Sequence, residues 1–289
     1  MKIWVTGSRG MLGTDVCNAL RAAQHDVVAT DRDLDITDVK TVADHMASNP
    51  TVNWVINCAA YTAVDAAEDN EVEAHRINAI GPGVLTEVCM RSDARLLHIS
   101  TDYVFDGQSN SPCKPTDSPN PTGAYGRTKL AGERAVGSAS DTALILRTAW
   151  LYGPAGRNFV STMIRLMNER SLVTIVNDQH GSPTYTRDLA KTIRKIVETT
   201  PEAGGIYHYT GAGETTWYGF ACEIYQQARS RGLITSVCDL QPTTTEAYGA
   251  KAQRPAYSSL DCTTTESVFG IQLRDWRTAL DEYLGGIPT

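Results

Sequence analysis

The 289-residue chain has no Cys-x-x-Cys pair, no run of Lys or Arg, and no apolar stretch near the ~18 residues that a membrane span needs. Each absence removes a class of function. Without a basic stripe, and with a formal net charge of −7 and a pI near 5.4, neither nucleic acid nor an anionic membrane is an expected partner. The seven cysteines (Cys17, Cys58, Cys89, Cys113, Cys222, Cys238 and Cys262) are scattered and odd in number, so they read as reduced thiols rather than a disulfide framework or a zinc site. His98, His180 and His208 show no ligand spacing, and no catalytic metal is expected. After Met1-Lys2 only four apolar or small residues precede Gly7, too few for a signal segment. No internal repeat or long low-complexity tract interrupts the chain. The expectation is a compact cytoplasmic protein of one large or two closely joined domains.

Against that background the first ordered signal is a glycine turn. Lys2 to Thr6 is a short apolar strand running into Gly7-Ser8-Arg9-Gly10-Met11-Leu12-Gly13, with helical periodicity from Asp15 to Ala23. Strand, glycine turn and helix form the context a phosphate-binding loop requires. Gly7 permits the tight turn, Gly10 admits a pyrophosphate, and Gly13 lets the helix pack on the strand with free N–H groups at its start. The spacing is Gly-x-x-Gly-x-x-Gly. A second strand, Asp26 to Thr30, ends at Asp31-Arg32, where the adenosine ribose is normally read. Asp31 suits the free 2′-hydroxyl of NAD, whereas Arg32 and Arg9 suit the 2′-phosphate of NADP; the expectation leans to NADPH, with NADH also accepted. Asp35 and Ile36, just beyond, join the cofactor-side candidates.

A third strand, Trp54 to Cys58, leads to Ala59-Ala60-Tyr61, small residues that let a loop lie against a flat ligand. Helical patterns at Ala66 to Ala79 and Gly83 to Ser92 precede a fourth strand, Arg95 to Ser100, which ends at Ser100-Thr101-Asp102-Tyr103-Val104-Phe105. Alternating β and α units of this length predict an α/β, Rossmann-like, doubly wound parallel sheet that binds ligands at the carboxyl ends of its strands. The Pro-, Ser- and Asn-rich loop from Asp106 to Gly123 is longer than a connection needs to be. It is read either as a substrate cover or as a solvated excursion. A fifth strand, Ala143 to Thr148, returns to the same edge at Trp150.

Between these lies Tyr125-Gly126-Arg127-Thr128-Lys129. Four residues apart on a helix, the phenol and the ammonium face the same way. A free tyrosine titrates near ~10, and a fixed cation beside it favours the phenolate, which would bring the group into range for proton transfer. A solvated Tyr and Lys pair has the same spacing.

Past Trp150 the pattern loses regularity. Phe159 to Arg170 reads as a helix, Val173 to Val176 as a strand that could rejoin the main sheet, and Asp188 to Thr199, Trp217 to Arg231 (capped by Thr216) and Asp275 to Leu284 as further helices. The expected division is a dinucleotide-binding domain of 1–149 plus 174–204 and a smaller α/β substrate lobe of 150–173 plus 205–289. Arg254 in that lobe is the candidate for a substrate phosphate, because a guanidinium matches phosphate geometry.

Taken together, Gly7-x-x-Gly10-x-x-Gly13, Asn57-Cys58-Ala59-Ala60, Ser100-Thr101-Asp102-Tyr103-Val104-Phe105 and Tyr125-x-x-x-Lys129 resemble the extended short-chain dehydrogenase/reductase superfamily. Tyr61-Thr62-Ala63-Val64-Asp65, Arg147-Thr148-Ala149-Trp150, Asn177 to Thr184, Thr215-Thr216-Trp217 and Arg254-Pro255-x-x-Ser258-x-Leu260-Asp261 narrow the resemblance to the dTDP-4-dehydrorhamnose reductase family. The resemblance implies reduction of the C4 ketone of dTDP-4-dehydro-L-rhamnose by a reduced nicotinamide. It makes Thr101 the hydroxyl that polarises the ketone, Tyr125 the proton donor, and Lys129 the clamp on the cofactor ribose and activator of Tyr125. Asn78 falls where such enzymes hold a water relay, Gly7 to Gly13, Cys58 to Tyr61 and Ser100 lie on the cofactor side, and Val64, Asp102, Tyr103 and Trp150 align with positions near the sugar.

One departure stands out. Some members of the family bridge two subunits through carboxylates on a divalent ion, and here the corresponding stretch carries Arg187, with Asp15 near another such position. A cation cannot ligate a metal, so a monomer is expected rather than a metal-bridged dimer. Two rival functions share the fold: a binding-only regulatory subunit, and a nucleotide-sugar epimerase or dehydratase that regenerates its own cofactor.

Overall fold

The computed structural model describes residues 1–199 and 202–288. Five strands form the heart of the first half: β1 (Lys2–Thr6), β2 (Asp26–Ala29), β3 (Val52–Asn57), β4 (Arg95–Thr101) and β5 (Leu144–Thr148). With Gly205–His208 they make a six-stranded parallel sheet, ordered Gly205–His208, β5, β4, β3, β1, β2. The central strands are apolar on both faces because both are covered. On one side Ile3, Val5, Ile56 and Leu146 pack on Leu12, Val16 and Leu20 of the first helix and on Leu189, Ile193 and Ile196 of the Thr186–Thr199 helix. On the other, Trp4, Val55, Leu96 and Ile145 pack on Val42, Leu85, Val88 and Val136. The doubly wound parallel sheet expected from the alternation of elements is present.

Two expectations about the second half are corrected. Val173–Val176 does not rejoin the main sheet: Leu172–Val176 pairs in parallel with Asp239–Thr243, from Leu172 opposite Asp239 to Val176 opposite Thr243. Leu172 and Thr174 point to solvent while Val173 and Ile175 are buried, the pattern of a strand covered on one face only. The edge beside β5 is taken instead by Gly205–His208, in register from Gly205 opposite Leu144 to His208 opposite Arg147, so that stretch belongs to the main sheet and not to the lobe. A second core fills the lobe, with Tyr152, Val160, Met163, Phe220, Ile224, Trp276 and Leu280 at its centre. Its Trp217–Ser230 helix is capped as expected, the Thr216 hydroxyl accepting from Gly219 N at 3.0 Å.

The single helix expected over Ala66 to Ala79 is broken. Val64–Ala67 and Glu71–His75 are separate, and one π-turn, Arg76–Ile80, runs on into Gly81–Arg91. The Asp106 to Gly123 loop is fastened to the chain near its other end. Tyr257 N donates to Gly107 O (3.2 Å), Cys113 N to Ser259 O (2.9 Å) and Asp261 N to Cys113 O (2.8 Å). Cys113 is buried with Val104, Phe105, Leu130 and Leu260. The loop is therefore a strap that draws residues 257–261 under the end of β4.

Candidate active site

At the carboxyl end of β4 the chain passes from extended backbone at Thr101 into a 3-10 turn, Asp102–Val104, which buries Thr101 and Asp102. The Ala124–Ala139 helix starts directly against this turn. A Cβ at Gly126 would lie 2.2 Å from the Tyr103 carbonyl oxygen, so only glycine allows so close an approach. Glu68 receives the Ala124 N–H at 2.8 Å, placing a carboxylate at the positive end of the helix. In consequence the rings of Tyr125 and Tyr103 meet edge to face, their centroids 5.5 Å apart at 76°.

The electrostatics of this corner follow from burial. The Tyr125 phenol is pushed well above its ordinary range by burial, helped by the nearby Asp102 and Tyr103 and opposed by the Thr101 hydroxyl. It therefore holds its proton at neutral and mildly alkaline pH. The spacing argument expected the Lys129 cation to favour the phenolate; instead burial dominates and holds the proton on the phenol. Lys129 Nζ donates to the Ile99 carbonyl at 2.6 Å and lies 3.3 Å from His98 Nε2. Burial pushes Lys129 down to about 8, with Glu133 and the Cys58 thiol acting the other way.

Asp102 is pushed up to about 6 by burial, against the hydroxyls of Ser258 and Thr101. Its Oδ2 has no hydrogen-bond partner among the described residues. Thr101 donates its proton to Asp102 Oδ1 at 2.9 Å and accepts from Tyr103 N at 3.2 Å. A hydroxyl carries one proton, so Thr101 must turn from Asp102 to donate to a ligand oxygen.

One layer down, a polar row crosses the sheet. Ser100, Arg147 and His208 are register neighbours on β4, β5 and Gly205–His208. Glu133, two turns along the helix from Tyr125, accepts from Ser100 Oγ and from Arg147 through Nε (2.9 Å) and Nη2 (2.7 Å), with Arg147 only 1% and Glu133 only 3% exposed. Ser100, a cofactor-side candidate in the sequence, is engaged in this network.

The glycine loop has the shape of an anion cradle. Gly7 has φ +64°, and a Cβ there would lie 2.6 Å from Ala59 N; a Cβ at Gly13 would lie 2.1 Å from Gly7 O. The Met11–Ala22 helix has no side-chain cap, so its first N–H groups remain for a ligand, and Ser8, Met11 and Leu12 flank them. Arg9 N donates to Asp31 Oδ2 at 3.0 Å, the Arg9 guanidinium pairs with Asp33 at 2.6 Å, and Arg32 is exposed. Asp35 instead pairs with Arg76 (2.8 Å), and Ile36 is buried in the core. Cys58, Ala59 and Ala60 follow β3. Asn78, turned inward from the π-turn, accepts from Tyr61 N (2.8 Å) and donates to Tyr61 O and to Thr128 Oγ1 (both 3.1 Å). Its side chain thus ties this loop to the Ala124–Ala139 helix.

On the other side, Val64 opens a short helix whose Asp65 binds the Arg254 guanidinium at 3.0 Å and the Ala252 N–H at 3.0 Å. Burial would raise Asp65, but these bonds outweigh it and hold the carboxyl low. Arg254 also bears on the Tyr103 phenol, which burial and Asp102 push up to about 12. Trp150 has φ +48°, a strained backbone for a residue with a side chain. Its ring stacks on Trp217 at 3.6 Å and 9°, with Gly181 beneath and Phe159 against Trp217 at 4.6 Å. Asp65 and Trp217 enter the sequence argument only within family motifs and receive no site role there, because neither lies at a strand end or a catalytic spacing.

The model of the family described as RmlD substrate binding domain matches residues 1–287. The chain belongs to this family. It is 39% identical over 285 residues to a dTDP-4-dehydrorhamnose reductase of Aggregatibacter actinomycetemcomitans, covering 96% of this chain and 97% of that one. It is 43% identical over 286 residues to a Streptomyces antibioticus protein named as a probable dTDP-4,6-dihydroxy-2-methyloxan-3-one 4-ketoreductase, with 98% and 94% covered. The structure superposes with a TM-score of 0.92, at 35% identity and 99% coverage of both chains, on a Bacillus anthracis dTDP-4-dehydrorhamnose reductase in complex with NADP. For this RmlD-family chain, Tyr125, Thr101 and Asp102 converge at one sheet end, Lys129 lies a turn deeper, and the glycine cradle opens at the same edge.

Proposed function

We propose that the protein reduces the C4 ketone of dTDP-4-dehydro-L-rhamnose to the alcohol of dTDP-L-rhamnose, with NADPH as reductant and NADH as a second accepted cofactor. The observation that carries the reading is the protonated Tyr125 held against Thr101 at the end of β4. The family and the names of its reductase relatives support it. The glycine cradle fits a pyrophosphate, and the nicotinamide, when bound, supplies the hydride. The chain's own residues supply the rest. Thr101 turns its hydroxyl to the ketone oxygen, and Tyr125 gives its proton to the alkoxide developing at C4. Lys129 orients the cofactor ribose and Tyr125. The stacked Trp150 and Trp217 offer a flat wall to the sugar, beside Val64 and Tyr103, and Arg254 pairs with a phosphate while Asp65 steadies it.

The lobe built on the second core covers the nucleotide-sugar, and the rest of the chain, including 205–208, holds the dinucleotide. The protein works as a cytoplasmic monomer. In support, Asp15 is buried and spent on Thr186 Oγ1 (2.6 Å), with Arg187 beside it, and no helix among the described residues is long and apolar enough to cross a membrane. A chelator-sensitive dimer in light scattering would contradict the monomer.

The test is product analysis with a panel of dTDP-4-keto sugars and each nicotinamide. Consumption of NADPH with formation of dTDP-L-rhamnose is expected. Preference for another keto sugar would move the chain towards relatives such as the Streptomyces antibioticus protein, and turnover on a purified, tightly bound cofactor without external reductant would make it an epimerase or dehydratase. Arg254→Ala should raise KM for the nucleotide-sugar roughly tenfold to a hundredfold, about 1.5–3 kcal/mol for a lost charge-assisted contact, with kcat nearly unchanged. An unchanged KM would remove Arg254 from the phosphate site.

A further inference from the structure

A second polar row crosses the sheet beneath Lys129, and its hydrogen bonds have a determined direction. Thr6, Asn57 and His98 are register neighbours on β1, β3 and β4. Asn57 Oδ1 accepts from the Thr6 hydroxyl at 2.8 Å and from the Ala59 backbone N–H at 3.1 Å. A backbone N–H can only donate, so the amide cannot be flipped. Its NH2 group therefore donates to His98 Nδ1, 3.0 Å away. An Nδ1 that accepts leaves the imidazole neutral with its proton on Nε2, and Nε2 faces Lys129 Nζ at 3.3 Å. His98 is fully buried.

We propose that Asn57 locks His98 as the Nε2–H tautomer and that this N–H, rather than a lone pair, is presented to the Lys129 amine, making His98 a positioning residue for the catalytic lysine. An N–H aimed at an ammonium is repulsive at this distance, whereas a neutral amine accepts it while giving one of its own protons to the Ile99 carbonyl. Two other groups bear on Lys129: Glu133 along its own helix, itself bound to Arg147 of β5, and the Cys58 thiol at the end of β3. Glu133 and Cys58 favour the charged lysine, and the His98 N–H opposes them. Burial holds Lys129 low, and the His98 N–H acts in the same direction. The pair thus gives Lys129 a proton affinity close to working pH, from which it can return a proton towards Tyr125 after turnover.

The inference rests on the role proposed above for Lys129, and the two can fail separately. In the full chain with 15N-labelled histidine, long-range proton–nitrogen spectra should show His98 as the neutral Nε2–H tautomer, with and without NADPH. Asn57→Asp keeps an acceptor for Thr6 and Ala59 but draws the imidazole proton to Nδ1, turning a lone pair on Nε2 towards Lys129. The titration midpoint of the Lys129 amine, followed by carbon NMR and assigned with Lys129→Met, should then rise by about one unit. An Nδ1–H tautomer in the wild type overturns the proposal even if Asn57→Asp does not fold, and so does a switched tautomer in Asn57→Asp that leaves the Lys129 midpoint unmoved. Full activity of Lys129→Met would instead sink the catalytic reading and leave the tautomer result standing.

Discussion

Tyr125→Phe is expected to cut kcat by about 10²–10⁴-fold, the range that a positioned proton donor contributes. Only the hydroxyl is lost. The ring keeps its edge-to-face contact with Tyr103, Gly126 keeps the helix against the Asp102–Val104 turn, and the glycine cradle lies on another element. NADPH affinity, read by nicotinamide fluorescence, should therefore stay within about twofold, and KM for the sugar should change far less than kcat. The direction of the reaction explains why a buried phenol suits this task. Reduction needs a donor that still has its proton, and burial holds the proton on Tyr125. Mildly alkaline conditions should not remove it, so a decline in rate there has to come from another group, with Lys129 at about 8 the one in range. A variant that keeps its rate within tenfold of wild type would transfer the donor role away from Tyr125.

The parts of this protein that sequence conveys are those in which one periodicity meets one environment. β1 was readable to the residue because Lys2 to Thr6 is a short apolar run ended by Gly7. The carboxyl ends of β3, β4 and β5 were readable because small or polar residues follow them abruptly. Val173–Val176 misled because a four-residue β-branched run looks the same whether it joins a large sheet or a two-stranded ribbon, and only its partner, within Asp239–Thr243, decides. Gly205–His208 went unassigned as a sheet strand because Gly-Ile-Tyr-His is short and begins with a helix and strand breaker. In the site, the four-residue spacing of Tyr125 and Lys129 was legible, but the balance between them was not. That balance depends on how deeply the pair is buried and on His98, Glu133 and Cys58, which come from three elements and have no common spacing. The partner of Arg254 was hidden for the same reason, since Asp65 lies 189 residues away.

Glu133→Ala should be the most destabilising single change in this region, by about 3–5 kcal/mol, because it strands the Arg147 guanidinium in the interior. Little else there can accept its charge. Arg147 is 1% exposed; its remaining neighbours are the Phe105 ring at 5.0 Å and His208 Nε2 at 3.4 Å. His208 donates through Nδ1 to the Cys113 carbonyl, so its Nε2 offers a single lone pair, and burial with the adjacent Arg147 drives its own pKa down to about 3. Ser100 would lose its acceptor as well. The energetic argument concerns breaking the pair, not the worth of having one, because two buried charges cost much of what their attraction returns. Combining Glu133→Leu with Arg147→Met should therefore cost clearly less than Glu133→Ala alone, a difference that chemical denaturation of the two variants against wild type would reveal. The single variant should also alter chemistry: removing a carboxylate that favours the charged form of Lys129 should lower that lysine's midpoint further, opposite in sign to Asn57→Asp. A Glu133→Ala protein less than about 1 kcal/mol weaker than wild type would mean that water or a shifted side chain reaches Arg147, and the buried pair would no longer account for how the catalytic helix is held to the sheet.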